Sequence, residues 1–266
     1  MKIAIIGTGN LGRQIAKGLI LNNAITTLYL TRRNLEEIQD FKGYANVKLT
    51  RSNKKAVKAS DILIFAVQPG QLSEILTEVS RLLTEKHVII STVTGFDTDR
   101  IAAIIGEKQY IIRAMPNTAI GVGKSMTCLC CNENGEKRIK IAEAIFNRLG
   151  KSIVIDEEDM QAATVICASG IAFWMRLIRA TSQAAIQLGF EANKAQELAT
   201  HTCEGAASLL IASGHHPEYE IDKVTTPKGC TIQGLNAMEH LGLSSALIKG
   251  MVTSFEKIDR LKTDQL

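Results

Sequence analysis

An α/β protein with a doubly wound, mostly parallel sheet, followed by an all-helical domain, is the fold this sequence predicts. Three observations predict it. Short apolar runs alternate with helical patterns through the first half, the first run leads directly into Gly7-Thr8-Gly9-Asn10-Leu11-Gly12, and the texture turns Ala-rich and helical after Asp156. Strands that alternate with helices imply parallel crossovers and helices on both faces of the sheet. The 266 residues, 45% hydrophobic and 22% charged, have the length and balance of a soluble globular chain with a large core. A net charge of +4, from 31 basic and 27 acidic residues scattered along the chain, gives no reason to expect a nucleic-acid partner. The sequence has no run of 18 apolar residues, so no membrane partner is expected.

The elements follow in order. Lys2 to Ile6 reads as a buried strand from its Ile content and the glycines behind it. Met1-Lys2 and the apolar residues after it have the look of a leader, but Gly7, Gly9 and Gly12 interrupt the run, and a cytoplasmic protein is expected. Leu11, Ile15, Leu19 and Ile20 then fall at helical spacing. Thr26 to Thr31, Asp61 to Val67, His87 to Ser91 and Tyr110 to Met115 are further strands, with helical segments carrying Leu72, Ile75, Leu76 and Val79, then Ile101, Ile104 and Ile105. From Glu157 to about Ser213 apolar residues recur every three or four positions, a break follows from Gly214 to Gly229, and more helix comes after it. The expected domains are therefore 1–156 and 157–266. Cys128, Cys130 and Cys131 sit in one apolar stretch, the other three cysteines stand alone, and no His follows at zinc-finger spacing, so reduced thiols and no metal are expected.

Gly7-Thr8-Gly9-Asn10-Leu11-Gly12 is a G-x-G-x-x-G turn between a strand and a helix, which is the context that makes it a dinucleotide-binding fingerprint of the Rossmann type. Gly7 permits the tight turn, Gly9 lets backbone approach a pyrophosphate, and Gly12 lets helix and strand pack closely. The helix N-terminus then offers free N–H groups to the anion. The other reading is a glycine-rich turn without a ligand. The second strand ends Leu30-Thr31-Arg32-Arg33-Asn34, where an NAD enzyme usually carries an acid. Two guanidiniums there suit a 2′-phosphate, so NADPH is the expected cofactor, with NADH possible; a solvated loop is the other reading. Thr94 lies in Ser91 to Gly95, at the end of another strand on the expected cofactor edge.

In the second half, Val224-Thr225-Thr226-Pro227-Lys228-Gly229-Cys230-Thr231-Ile232-Gln233-Gly234-Leu235 reads as a turn leading into a helix. Its free N–H groups, with the Thr226 and Thr231 hydroxyls, make a carboxylate cradle without any Arg; an ordinary helix start is the other reading. Together with four other segments it resembles the pyrroline-5-carboxylate reductase family, whose C-terminal signature runs V-T-S-P-G-G-T-T-I-x-G-L. Arg113-Ala114-Met115-Pro116-Asn117-Thr118 resembles the family's R-x-M-P-N-T, Ala66-Val67-Gln68-Pro69 its A-V-K-P, and Ser169-Gly170 part of its G-S-G-P-A-Y. His216-Pro217 and Asp222 also stand at the family's distances, and the likeness covers nearly the whole chain in order. Gln68 stands where the family has Lys, Lys228 where it has Gly, Ala168 and Ile171 where it has Gly and Pro, and Cys230 where Thr or Ala is common.

The resemblance implies hydride transfer from NAD(P)H to L-1-pyrroline-5-carboxylate, giving L-proline. It implies that the carboxylate rests on Gly229, Cys230 and Thr231 with help from Thr226, and that Thr231, or a water, serves the ring nitrogen. Ser169 joins the substrate site on the same grounds. Ala66, Val67, Gln68, Pro69, Met115, Pro116 and Asn117 would border the cofactor, and Asn53 matches a family Asn near its adenosine end, with a helix N-cap as the other reading. A homodimer, or a larger assembly of dimers built by the helical half, is expected, with the cradle where two chains meet. The alternatives are a related imine or hydroxyacid reductase and a non-catalytic dinucleotide-sensing module. The hydroxyacid enzymes normally carry a catalytic Lys on the long helix after the boundary, and Gly170 to Leu188 has none.

Overall fold

One eight-stranded sheet organises the first half of the chain in the computed structural model, which describes residues 1–22 and 25–263. Its strands are β1 (Lys2–Ile6), β2 (Thr27–Thr31), β3 (Val47–Thr50), β4 (Ile62–Phe65), β5 (Val88–Ser91), β6 (Tyr110–Met115), β7 (Ser125–Cys131) and β8 (Gly150–Val154). The order is β3-β2-β1-β4-β5-β6-β7-β8, parallel throughout except for the antiparallel pair β6–β7. Because β1 pairs with both β2 and β4, the chain leaves β1 in one direction and later returns to its other side. That reversal opens a crevice at the carboxyl ends of the strands, where ligands of such sheets bind.

Alternation along each strand feeds two separate cores. Ile3 and Ile5 pack with Ile15 and Leu19 of α1 (Asn10–Leu21) on one face. Ala4 and Ile6 pack on the other with Val57 of α2 (Asn53–Lys58), Leu72 and Leu76 of α3 (Pro69–Val79), and Ile101 of α4 (Thr98–Ile105). Helix α5 (Ile139–Phe146) returns to the first face through Ile145 and Phe146. The expected doubly wound sheet is therefore present, with helices on both faces.

Three strands escaped the sequence reading. β3 and β8 lie at the two edges and carry Lys48, Lys151 and Ser152, so neither reads as a continuous apolar run. β7 contains the cysteine-rich stretch Cys128-Leu129-Cys130-Cys131, in which Cys128 and Cys130 are buried and behave as small apolar residues.

Beyond the sheet, α6 (Met160–Ala163) runs through a π-helical segment, Thr164–Ser169, into α7 (Gly170–Gln187) without a break. Ser169-Gly170 lies at this junction, inside one long helix. By length and apolar composition the helix Glu157–Gln187 also reaches what a membrane crossing needs, which the search for an unbroken apolar run did not show. The remaining helices are α8 (Ala192–Ser213), α9 (Pro217–Val224), α10 (Cys230–His240) and α11 (Leu243–Thr263). Helix α9 forms within the expected break because Pro217 sits in its first turn and His216 caps it, the ring nitrogen accepting from the Glu218 N–H at 3.3 Å.

The chain packs as two units, Met1–Ser169 with Ser254–Leu266, and Gly170–Thr253. The division falls later than the change of texture at Asp156, because Thr164, Val165 and Met160 are buried in the first unit. Helix α11 is shared: Gln161 donates to the Phe255 carbonyl at 3.1 Å, and Ile258 is buried there. In the second unit α7 and α8 pack along each other through Ser182, Ala195 and Ala199. Much of this unit's apolar surface is open, including Leu188, Leu209, Ile211 and Leu241.

Candidate active site

The glycine turn does what its spacing requires. Gly7 has φ +92°, and a Cβ on it would lie 2.3 Å from Val67 Cγ1 and 2.8 Å from the Ala66 carbonyl oxygen. A Cβ on Gly12 would meet the Gly7 carbonyl oxygen at 2.3 Å, so only Gly lets α1 sit this close to the turn. A Cβ on Gly9 would meet nothing nearer than Arg32 Nη1 at 3.7 Å; what this Gly leaves bare is backbone facing the cleft. Gly9 caps α1 with no side-chain acceptor, so its first N–H groups remain free for an anion.

Gly7 and Gly9 open onto a cleft of about 590 Å³. Of the expected cofactor residues, Gly7, Thr8, Gly9, Asn10, Thr31, Arg32, Arg33, Asn53, Ala66, Val67 and Gln68 line it. Ile6, Asn34, Glu37, Arg51, Gln71 and Ile75 complete the wall. The Thr8 hydroxyl is buried and has no hydrogen-bond partner among the described residues. An unpartnered buried hydroxyl at an uncapped helix start is a group awaiting a polar ligand, and a dinucleotide pyrophosphate fits it. Asn53 donates to Glu78 Oε2 at 3.0 Å, and Ser52 rather than Asn53 caps α2, accepting from the Lys55 N–H at 3.2 Å.

Leu11 and Gly12 face the core rather than the cleft, and Pro69 lines a separate groove with Phe96 and Arg100. Thr94, Met115, Pro116 and Asn117 form a second group at the ends of β5 and β6. The Thr94 hydroxyl donates to Met115 Sδ at 3.9 Å. Asn117 caps the turn Thr118–Val122, its carbonyl accepting from the Ala119 N–H at 3.0 Å and its amide donating to the Cys167 carbonyl at 2.9 Å. That contact ties the loop after β6 to the π-helical segment that ends at Ser169.

Below this group Arg113, buried within β6, is ion-paired with Glu157. Cys130 donates to the other Glu157 oxygen at 3.3 Å, and burial pushes its thiol far up from its ordinary range. Cys128 and Cys167 lie 3.7 Å apart, and the hydrogen bond from Cys128 draws Cys167 down to about 7. The Arg113–Glu157 pair was missed, although a basic residue inside an apolar strand is a signal that a buried acid must follow.

The expected cradle belongs to the second unit. Lys228 has φ +60°, the left-handed region that favours Gly, so the family's glycine there has a backbone reason. Gly229 caps α10 with no side-chain acceptor, and a Cβ on it would lie 2.3 Å from Thr226 Oγ1. The Gly229 N–H donates to the Thr226 carbonyl at 2.9 Å, which leaves the first-turn N–H groups of Cys230 and Thr231 as the open donors. Ser169 belongs to the first unit and is not part of this turn.

A switch-point cleft with a glycine phosphate turn, followed by a helical unit with a wide open apolar surface, defines a two-domain dinucleotide-dependent oxidoreductase. Residues 2–95 match the family model described as NADP oxidoreductase, coenzyme F420-dependent, and residues 157–261 the model described as pyrroline-5-carboxylate reductase dimerisation. Pyrroline-5-carboxylate reductase 1 of Dictyostelium discoideum is 45% identical over 99% of this chain, which spans about half (50%) of that protein's length. Pyrroline-5-carboxylate reductase 2 of the same organism is 42% identical, covering 96% of this chain and 91% of its own. The crystal structure of Plasmodium falciparum pyrroline carboxylate reductase with NADP bound superposes with a TM-score of 0.89 at 24% identity, covering 98% of each chain. This chain belongs to the pyrroline-5-carboxylate reductase family. With that family it is an NAD(P)H-dependent oxidoreductase.

Proposed function

We propose that this chain reduces L-1-pyrroline-5-carboxylate to L-proline with NADPH as the preferred donor and NADH as a second one, in the cytoplasm, as a homodimer or an assembly of dimers. The observation that carries the cofactor assignment is the cleft itself, lined by Arg32, Arg33 and Arg51, with a Thr8 hydroxyl at the phosphate turn that has no hydrogen-bond partner among the described residues. Bound there, the reduced nicotinamide supplies the hydride to the imine carbon. The chain's own residues orient, neutralise and protonate. The N–H groups of Cys230 and Thr231, with the Thr226 hydroxyl, hold the substrate carboxylate, and the Thr231 hydroxyl, directly or through a water, delivers a proton to the ring nitrogen. Hydride at carbon and proton at nitrogen together turn the C=N bond into CH–NH. Holding donor and imine close supplies much of the rate, so no strong acid is needed. Asn117, fixed on both sides of its amide, keeps Met115 and Pro116 in place at the nicotinamide end.

The dimer belongs to the same reading. The open apolar helices of the second unit lie within the segment matched by the dimerisation model, and a partner chain is what covers them. The cofactor assignment is tested by changing Arg32 and Arg33 to Ala. The KM for NADPH is expected to rise much more than that for NADH, and equal effects on both would remove the 2′-phosphate assignment.

A further inference from the structure

The adenosine end of the cleft holds a carboxylate that the end of β2 does not supply. Glu37 comes from the 3-10 turn Leu35–Phe41, lines the cleft and is ion-paired with Arg32. Its place is built. Arg13 of α1 donates to the Glu37 carbonyl at 2.5 Å and pairs with Asp40 at 2.6 Å. The same guanidinium lies over the Phe41 ring, 5.3 Å from its centre, and Phe41 and Ile38 are buried in the core. The turn carrying Glu37 is thereby tied to the helix whose N-terminus faces the phosphate. Arg32 in turn is held between the Glu37 carboxylate and the Thr8 carbonyl oxygen. Arg33 and Arg51 are exposed and form no ion pair among the described residues.

We propose that Glu37 is a specificity-determining residue that keeps the cleft usable by the unphosphorylated cofactor; this rests on the assignment of the cleft to a nicotinamide dinucleotide and of its arginines to the 2′-phosphate. A carboxylate at this end accepts a hydrogen bond from a ribose hydroxyl, the role that NAD sites give to an acid at the end of the second strand. Here the acid arrives from the following turn. A 2′-phosphate brings about two negative charges. It is repelled by Glu37 and competes with it for Arg32. Glu37 therefore favours NADH and opposes NADPH, while the three arginines do the reverse, and the Arg32–Glu37 pair is where the two cofactors are weighed.

The test is calorimetric binding of NADP⁺ and of NAD⁺, without substrate, to the wild-type protein, Glu37→Gln, Glu37→Asp and the Arg32→Ala/Arg33→Ala variant. Glu37 is exposed, so the substitutions are expected to leave thermal unfolding unchanged. For Glu37→Gln the Kd for NADP⁺ is expected to fall about tenfold and that for NAD⁺ to rise several-fold, as the loss of one charged partner on each side implies. Glu37→Asp, which keeps the charge, is expected to move the ratio of the two Kd values less. An unchanged ratio in Glu37→Gln, or a ratio shifted toward NAD⁺, overturns the inference. The phosphate assignment fails separately, if the double arginine variant binds NADP⁺ as well as the wild type does. In that case a rise in the NAD⁺ Kd of Glu37→Gln still supports Glu37 as the residue that reads the ribose.

Discussion

At the residue scale, the catalytic demand falls on few side chains. Thr231 is the one assigned to the reacting nitrogen, and α10 presents it in its first turn, where backbone donors are free. Removing a preorganised hydrogen bond to a transition state costs about 10²–10³ in rate. Water can take the place of the hydroxyl, so Thr231→Ala is expected to lower kcat by about 10² or less. A variant with unaltered kcat and KM for L-1-pyrroline-5-carboxylate would remove Thr231 from the mechanism. The residues of the phosphate turn were legible in the sequence, because Gly7 and Gly12 answer to local backbone sterics and Gly9 to the backbone it leaves bare at the cleft. Glu37 and Arg51 were not. Each comes from a segment outside the fingerprint, and only the folded turn Leu35–Phe41 and the end of β3 bring them to the cleft.

At the scale of elements, buried strands announce themselves and edge strands do not. β1, β4 and β5 are apolar along nearly their whole length and were read within a residue or two of their ends. β3 and β8 have one partner strand each and mix polar residues, Lys48, Lys151 and Ser152 among them, with apolar ones, so their sequences do not read as continuous apolar runs. The turn before α10 carries its own prediction. Lys228 holds a left-handed backbone at a cost of about 1–3 kcal/mol, while Gly adds about 0.4–1 kcal/mol of unfolded-state entropy. Lys228→Gly is therefore expected to stabilise the protein by about 1 kcal/mol, a rise in Tm of about 2–4 °C for a chain of this length. A fall in Tm would mean that the Lys228 side chain makes a stabilising contact that outweighs the strain.

At the scale of the whole molecule, the helical second unit does not close its own apolar surface. Trp174, Met175, Leu209 and Ile211 are more than half exposed, at 54%, 57%, 59% and 85%. Surfaces of this kind are covered in the working molecule, and symmetric pairing gives two equivalent sites. Light scattering at micromolar concentration is expected to show at least twice the 29.0 kDa of one chain. Stability is expected to rise with protein concentration, as for chains with no stable folded monomer. A folded, fully active species of one chain would show that the helices close on themselves.

The account as a whole stands on the reaction. Oxidation of NADPH by the purified protein, measured with and without L-1-pyrroline-5-carboxylate while L-proline is quantified, tests it most directly. The rate is expected to depend on the imine and to saturate with it, with one proline formed for each NADPH oxidised. A folded protein that binds NADPH, yet oxidises it no faster when the imine is added, would contradict the assignment of cleft and cradle to this chemistry.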